Sequence, residues 1–133
     1  SWILHVVVPL QHEKLIHDDD GDISITTALK LGNADAVEIV KTSDGKTSAR
    51  AMEKLASASS VAAYTKGRIR LGNTTYTVSD NVKIYGGVSA DKFTSMSETE
   101  MLDSSNVSAV TLYSDQSLKD GGIVRVIVVK TKN

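Results

Sequence analysis

Cysteine is absent from this sequence, proline, phenylalanine and tryptophan each occur once, and aromatic residues make up 5% of the chain. Without cysteine there can be no disulfides, thiolate nucleophiles or zinc–thiolate sites. With so few aromatic rings, the core has to be built from Val, Ile, Leu and Ala. No apolar run approaches the roughly 20 residues that a membrane-spanning helix needs, so we expect no membrane insertion. A net charge of −1 gives no electrostatic reason to expect nucleic acid as a partner.

Motifs of catalytic and cofactor chemistry are also missing. The three histidines, His5, His12 and His17, are seven and five residues apart, and these spacings provide no helical pair of metal ligands. The sequence has neither a Gly-x-Ser-x-Gly elbow nor a Gly-rich phosphate loop. It therefore predicts a protein that is not an enzyme and that binds no cofactor.

One acidic cluster has the composition of a calcium site. Asp18, Asp20 and Asp22 occupy alternate positions, and hard cations bind clustered carboxylate oxygens. An EF-hand loop starting at Asp18 would need glutamate at its twelfth position, where this sequence has Leu29. A solvated turn is the favoured interpretation, and calcium binding is the weaker alternative.

The N-terminal apolar run from Trp2 to Val8 reads as a strand, followed by Pro9. Because proline cannot donate to a ladder, Pro9 indicates a strand end or an edge position. Two interpretations of residues 1–10 are open. They form a strand of the domain's own sheet, or they form a strand that pairs with a neighbouring molecule by β-augmentation.

The clearest local structure is a hairpin in which two alternating runs flank Gly72 and Asn73. The alternation places Ile69 and Leu71 on the inward face, with Arg68 and Arg70 on the outward face. Asp80 and the asparagine after it predict a turn further along.

Residues 121–130 are rich in β-branched residues and predict a strand buried on most of both faces. Arg125 interrupts this run, and we expect its guanidinium to reach solvent or a carboxylate at the rim of the fold.

Two segments predict helices. Apolar residues in 47–58 recur at helical spacing, which is typical of a short amphipathic helix. Ser97 and Glu100 have the spacing of a capping box, with Met96 and Met101 positioned as a hydrophobic staple.

The sequence as a whole predicts one mainly β domain over residues 1–133, a small OB-like β-barrel or sandwich with one or two short helices. Residues 67–130 form its best-defined barrel core.

The order of motifs in the second half resembles a known family. Residues 73–85 run Asn-Thr-Thr-Tyr-Thr-Val-Ser-Asp-Asn-Val-Lys-Ile-Tyr, and residues 121–130 run Gly-Gly-Ile-Val-Arg-Val-Ile-Val-Val-Lys. Between them lie the short helix at 97–102 and Leu-Tyr-Ser-Asp at 112–115. This order resembles the β modules of S-layer-homology-type cell-surface proteins of Gram-positive, clostridia-like bacteria, over about residues 67–130.

The resemblance implies a small β-barrel exported to the cell surface, with a structural or spacing role. The sequence contains no S-layer-homology anchor repeat, so we expect such a chain to be retained by assembly with copies of itself. The favoured function is a non-enzymatic extracellular module that forms a surface filament or lattice by exchange of its N-terminal strand. The residues expected at the subunit contact are Trp2, Ile3, Leu4, Val6 and Val8.

A second hypothesis is a module that binds carbohydrate or cell-wall polymer. Exposed aromatic rings stack on sugars, and the chain has four tyrosines that could do so. These are Tyr64, Tyr76, Tyr85 and Tyr113.

Overall fold

The computed structural model describes the backbone at residues 2–8, 14–18, 21–25, 35–41 and 47–51, and backbone with side chains at residues 52–89 and 93–133. The described chain is mainly β, with two sheets and one short α-helix. The predicted class, a small mainly β fold of the barrel or sandwich type, is confirmed.

The first sheet is antiparallel and has the strand order β3-β2-β1-β4-β5. Its strands are β1 (Trp2–Val8), β2 (Lys14–Asp18), β3 (Gly21–Ile25), β4 (Asp35–Lys41) and β5 (Thr47–Ala51). Strand β1 is central, because it pairs with β4 along its whole length and with β2 on its other side. Of the two alternatives that Pro9 left open, the edge position does not hold and the strand end does. Since β1 ends at Val8, the proline that follows removes no donor from its ladder.

The second sheet has the order β6-β11-β12-β9-β8-β7, and β10 pairs with β9 beside this path. Its strands are β6 (Glu53–Ala58), β7 (Ala63–Thr65), β8 (Arg68–Leu71), β9 (Thr74–Gly87), β10 (Thr94–Ser95), β11 (Val107–Ser114) and β12 (Val124–Thr131). The β9–β12 pair is parallel and the other pairs are antiparallel. The sheet curls into a half-barrel, which brings β6 towards β8.

A single residue, Met52, separates β5 in the first sheet from β6 in the second. The chain therefore passes from one sheet to the other almost without interruption, as strands do at the corners of β-sandwiches. The amphipathic helix predicted for residues 47–58 is wrong. Helix propensity is a weak preference, and the ladders that β4 and β11 offer to this segment override it.

Strand β12 is buried on both faces, as predicted. Its residues Val124, Ile127 and Val129 belong to a core cluster that includes Ile69, Leu112 and further aliphatic side chains of the half-barrel. Val126 and Val128 belong to a second cluster with Met52, Phe93 and two tyrosines. Strand β1 approaches β12, as expected for two sheets packed in layers.

Arg125 behaves as the sequence predicts. Its Nε lies 3.2 Å from Asp115 Oδ2, and the side chain is about one-third exposed. An ion pair this accessible to water adds little stability. It gives Arg125 a partner of opposite charge, but the contact is not a hydrogen bond from Nε.

The β8–β9 hairpin also follows the prediction. Leu71 pairs with Thr74 across the loop, and Gly72 has a φ of 58°, the left-handed conformation that glycine adopts readily. The turn predicted at Asp80 is wrong, because β9 continues through it to Gly87. At this point β9 changes its partner from β8 to β12, and the amide of Asn81 donates to Ser79 Oγ at 3.1 Å.

Helix α1 (Glu98–Met101) begins at the predicted capping box. Glu100 N donates to Ser97 Oγ at 3.1 Å, and Ser97 N donates to Glu100 Oε1 at 3.2 Å. Met101 is fully buried in the half-barrel core, and Met96 packs against the same cluster. The helix therefore covers part of the half-barrel interior.

Replacing Ile127 tests how far the fold depends on β12. Ile127 is fully buried, so Ile127→Ala leaves a cavity and should lower the free energy of unfolding by about 2–5 kcal/mol in urea titrations. The exposed Lys130 of the same strand provides the control, and Lys130→Ala should change stability by less than about 0.5 kcal/mol. Equal stability of the two variants would contradict the packing described for β12.

Gly122, just before β12, has no room for a side chain. A Cβ at this position would collide with the carbonyl oxygen of Gln116 and lie 2.7 Å from Ser114 Oγ. Gly122→Ala should therefore destabilise the protein by about 1–3 kcal/mol in thermal or urea unfolding. Gln116→Ala, which trims an exposed side chain nearby, is the control. An unchanged Tm for Gly122→Ala would show that this loop packs less tightly than described.

Candidate binding surface

Strands β7 and β8 and the start of β9 form a small antiparallel ribbon at one end of the second sheet. In its register, Arg70 lies opposite Ala63 and Thr75, and Arg68 lies opposite Thr65 and Thr77. Directly opposite residues share a face of a sheet, so these residues form two parallel rows. We call this surface the ribbon face and define it by Ala63, Thr65, Arg68, Arg70, Thr75 and Thr77.

The ribbon face is exposed and positively charged. All six of its residues are exposed, as is Lys66 in the turn between β7 and β8. Within the part of the chain that the structure describes, Arg68 and Arg70 form no ion pair. Their neighbours are small or carry hydroxyl groups, which leaves both guanidinium groups accessible. Such groups bind carboxylates or phosphates by paired hydrogen bonds.

A shallow depression of about 270 Å³ lies on this ribbon. It is lined by Ala63, Tyr64, Thr65, Arg68, Arg70 and Thr75. Five of these six residues belong to the ribbon face, so the depression and the positive charge coincide.

The opposite face of the ribbon closes one side of the half-barrel. Ile69 is fully buried there, and Tyr64 and Tyr76 lie directly opposite it on the two neighbouring strands. Both tyrosines are half-buried and pack against the aliphatic core. Partial burial, and then the charge and hydrogen bond of Glu98, raise the pKa of Tyr64 above its usual value of 10.0.

Two of the four predicted sugar-binding tyrosines are buried. Tyr85 is 2% exposed and Tyr113 is 4% exposed, and both lie in the second core cluster. Each has a neighbour on its strand, Ile84 or Leu112, that is buried in the other cluster. Because these strand segments are buried on both faces, the prediction that Tyr85 and Tyr113 are exposed is wrong.

A polar cleft of about 410 Å³ lies between the end of β9, helix α1 and the last residues of the chain. Its polar groups bind one another. Glu100 caps the helix, Asp103 Oδ1 accepts from Ser105, and Asn106 Oδ1 accepts from the backbone of Asn133 at 3.1 Å. These bonds hold the C-terminal residues against the start of β11, so the cleft serves a structural role.

The other predicted site residues fall on the first sheet or outside the described part. Trp2, Ile3, Leu4, Val6 and Val8 all lie on β1, where the backbone is paired on both sides. Asp18 and Asp22 lie on β2 and β3. The structure describes neither their side chains nor Asp20, so calcium binding there stays a prediction.

Within residues 52–89 and 93–133, no group of three or more His, Asp or Glu side chains is placed to hold a metal ion. No helix in the described part of the chain is both long enough and apolar enough to cross a membrane. Comparisons with protein-family models, curated proteins and solved structures returned no match to this chain.

Alternation along β8 predicts the outward orientation of Arg68 and Arg70, but the ribbon face as a whole was not predicted from the sequence. The signal was present in the distribution of charge. The segment from Lys54 to Ser79 contains four cationic residues and no Asp or Glu, although the net charge of the whole protein is −1.

The raised pKa of Tyr64 predicts a change in stability at high pH. The pKa of Tyr64 in the folded protein lies above its unfolded value of 10.0. The contribution of Tyr64 to stability is therefore complete below pH 10, and it is lost as the pH rises through the folded pKa. Tyr64→Phe should remove this dependence. The difference in free energy of unfolding between wild type and Tyr64→Phe should be constant up to about pH 9 and shrink above pH 10. Tyr76→Phe is the control variant, and a pH-independent difference for Tyr64→Phe would contradict the raised pKa of Tyr64.

Proposed function

We propose that this chain is a non-enzymatic structural module of the cell surface that assembles with copies of itself into a pilus-like filament or a lattice. The resemblance of residues 67–130 to modules of bacterial surface proteins supports the extracellular location. The mainly β fold, in which one strand is buried on both faces, supports a structural role.

The observation that carries the proposal is the uncovered ribbon. Its face is exposed, and among the described residues its outer strand β7 pairs only with β8. An unpaired strand edge can accept a strand from another chain, and an exposed charged face can bind a complementary surface. The ribbon offers both features at the same place.

This proposal changes the residues of the subunit contact. Exchange of β1 between copies would have to open a ladder in which β1 pairs with β4 from Trp2 to Val8. A contact on the ribbon breaks no internal strand pairing. We therefore place the subunit contact on the ribbon and keep β1 inside its own sheet.

Binding of cell-wall carbohydrate is the second candidate, and its support is weaker. Only Tyr64 and Tyr76 remain partly accessible, and both rings contact the half-barrel core. A polymer contact would have to rely on the edges of these rings and on the hydroxyl groups of the ribbon face.

Self-assembly can be tested with the purified chain by sedimentation velocity and negative-stain electron microscopy. We expect the weight-average sedimentation coefficient to rise over about a hundredfold range of protein concentration, with fibres or sheets on the grids at the upper end. Dispersed monomers at every concentration would overturn the proposal. Binding of these monomers to a glycan array would then favour the carbohydrate alternative.

A further inference from the structure

Two surfaces of the chain have opposite charge and do not neutralise each other. The ribbon face carries Arg68 and Arg70, with Lys66 beside it. The second surface, which we call the acidic end, is formed by Glu98, Glu100 and Asp103 on and after α1, and all three residues are exposed. From Phe93 to Leu118 the sequence contains acidic residues and no Lys or Arg, the converse of the segment from Lys54 to Ser79.

The ribbon itself separates the two surfaces. Arg68 and Arg70 lie on its outer face, whereas Glu98 lies near Tyr64, which belongs to the inner face, and helps to raise the pKa of that tyrosine. Among the described residues, no ion pair joins the ribbon face to the acidic end. Within a single copy, both surfaces therefore keep their charge facing water.

The acidic end has free capacity to accept hydrogen bonds. Among the described residues, the side-chain hydrogen bonds of Glu100 use Oε1 and those of Asp103 use Oδ1. A carboxylate has two oxygens and about four acceptor positions. Each of these side chains can keep its structural bond and still accept a guanidinium group from another molecule.

We infer that the ribbon face of one copy binds the acidic end of the next copy, with Arg68 and Arg70 paired to the carboxylates around α1. This inference rests on the proposed self-assembly and names the two surfaces that join. Because the surfaces are different and do not overlap, each bound copy leaves one of each kind free. A contact of this type propagates head to tail and does not close as a dimer.

Charge reversal tests this pairing. Arg68→Glu with Arg70→Glu makes both surfaces of one variant acidic, and Glu98→Arg with Asp103→Arg makes both surfaces of a second variant basic. Each variant alone should associate at least about tenfold more weakly than wild type in sedimentation velocity. An equimolar mixture should recover association, since each altered surface then meets its complement. Circular dichroism and urea titration confirm that each variant is folded.

A matched control separates the pairing from a simple change in net charge. Lys119→Glu with Lys130→Glu changes the net charge by the same amount as the arginine reversal, at exposed residues outside both surfaces. This control should assemble like wild type. Association of wild type should also weaken as salt is raised from about 0.05 to 0.5 M, since the screening length for exposed charges falls from about 14 Å to about 4 Å over this range.

The outcomes distinguish the inference from the proposed function. If wild type assembles and the arginine reversal assembles equally well, this pairing is wrong and self-assembly stands. If neither variant recovers in the mixture, the two surfaces do not meet. If wild type is monomeric throughout but binds dextran sulfate through Arg68 and Arg70, the ribbon face serves a polyanion, and both the inference and the proposed self-assembly fail.

Discussion

Strand β12 has to be covered on both faces, because aliphatic side chains project from each of them. Val124, Ile127 and Val129 require the half-barrel on one side, and Val126 and Val128 require a second apolar layer on the other. The parallel β9 and the antiparallel β11 supply the backbone hydrogen bonds on its two edges. A strand placed in this way cannot shift its register by one residue without exposing apolar side chains or burying Arg125.

The position of the ribbon follows from this packing. The half-barrel needs Ile69 and Leu71 as part of its wall, and alternation along β8 then directs Arg68 and Arg70 outward. The core therefore requires one face of the ribbon and leaves the other available. The charge on that free face is opposite to the charge around α1, so the same packing that forms the core also separates the two signs of charge.

Local signals in the sequence predicted several elements correctly. The hairpin at Gly72 depends on a backbone conformation that glycine adopts easily, and the capping box at Ser97 depends on two residues three positions apart. Both are decided by neighbours along the chain, so the sequence contains the information needed. The outward orientation of Arg68 and Arg70 could also be read from alternation alone.

Other features depended on partners far away in the sequence. Residues 47–58 have helical spacing, but β4 and β11 provide strand ladders for them, and the segment divides between two sheets at Met52. Trp2–Val8 reads as a strand, but only the pairing with β2 and β4 places it at the centre of a sheet. Tyr85 and Tyr113 lie beside buried aliphatic residues, and their own burial depends on a second cluster that brings together Met52, Phe93 and residues of β12. By itself the sequence determined the class of fold, the hairpin, the helix cap and the doubly buried strand, because these depend on short-range geometry and on the number of apolar residues. Only the tertiary structure decided which strand edges are paired and which residues of neighbouring strands share a face with Arg68 and Arg70, because these depend on pairing between different segments of the chain.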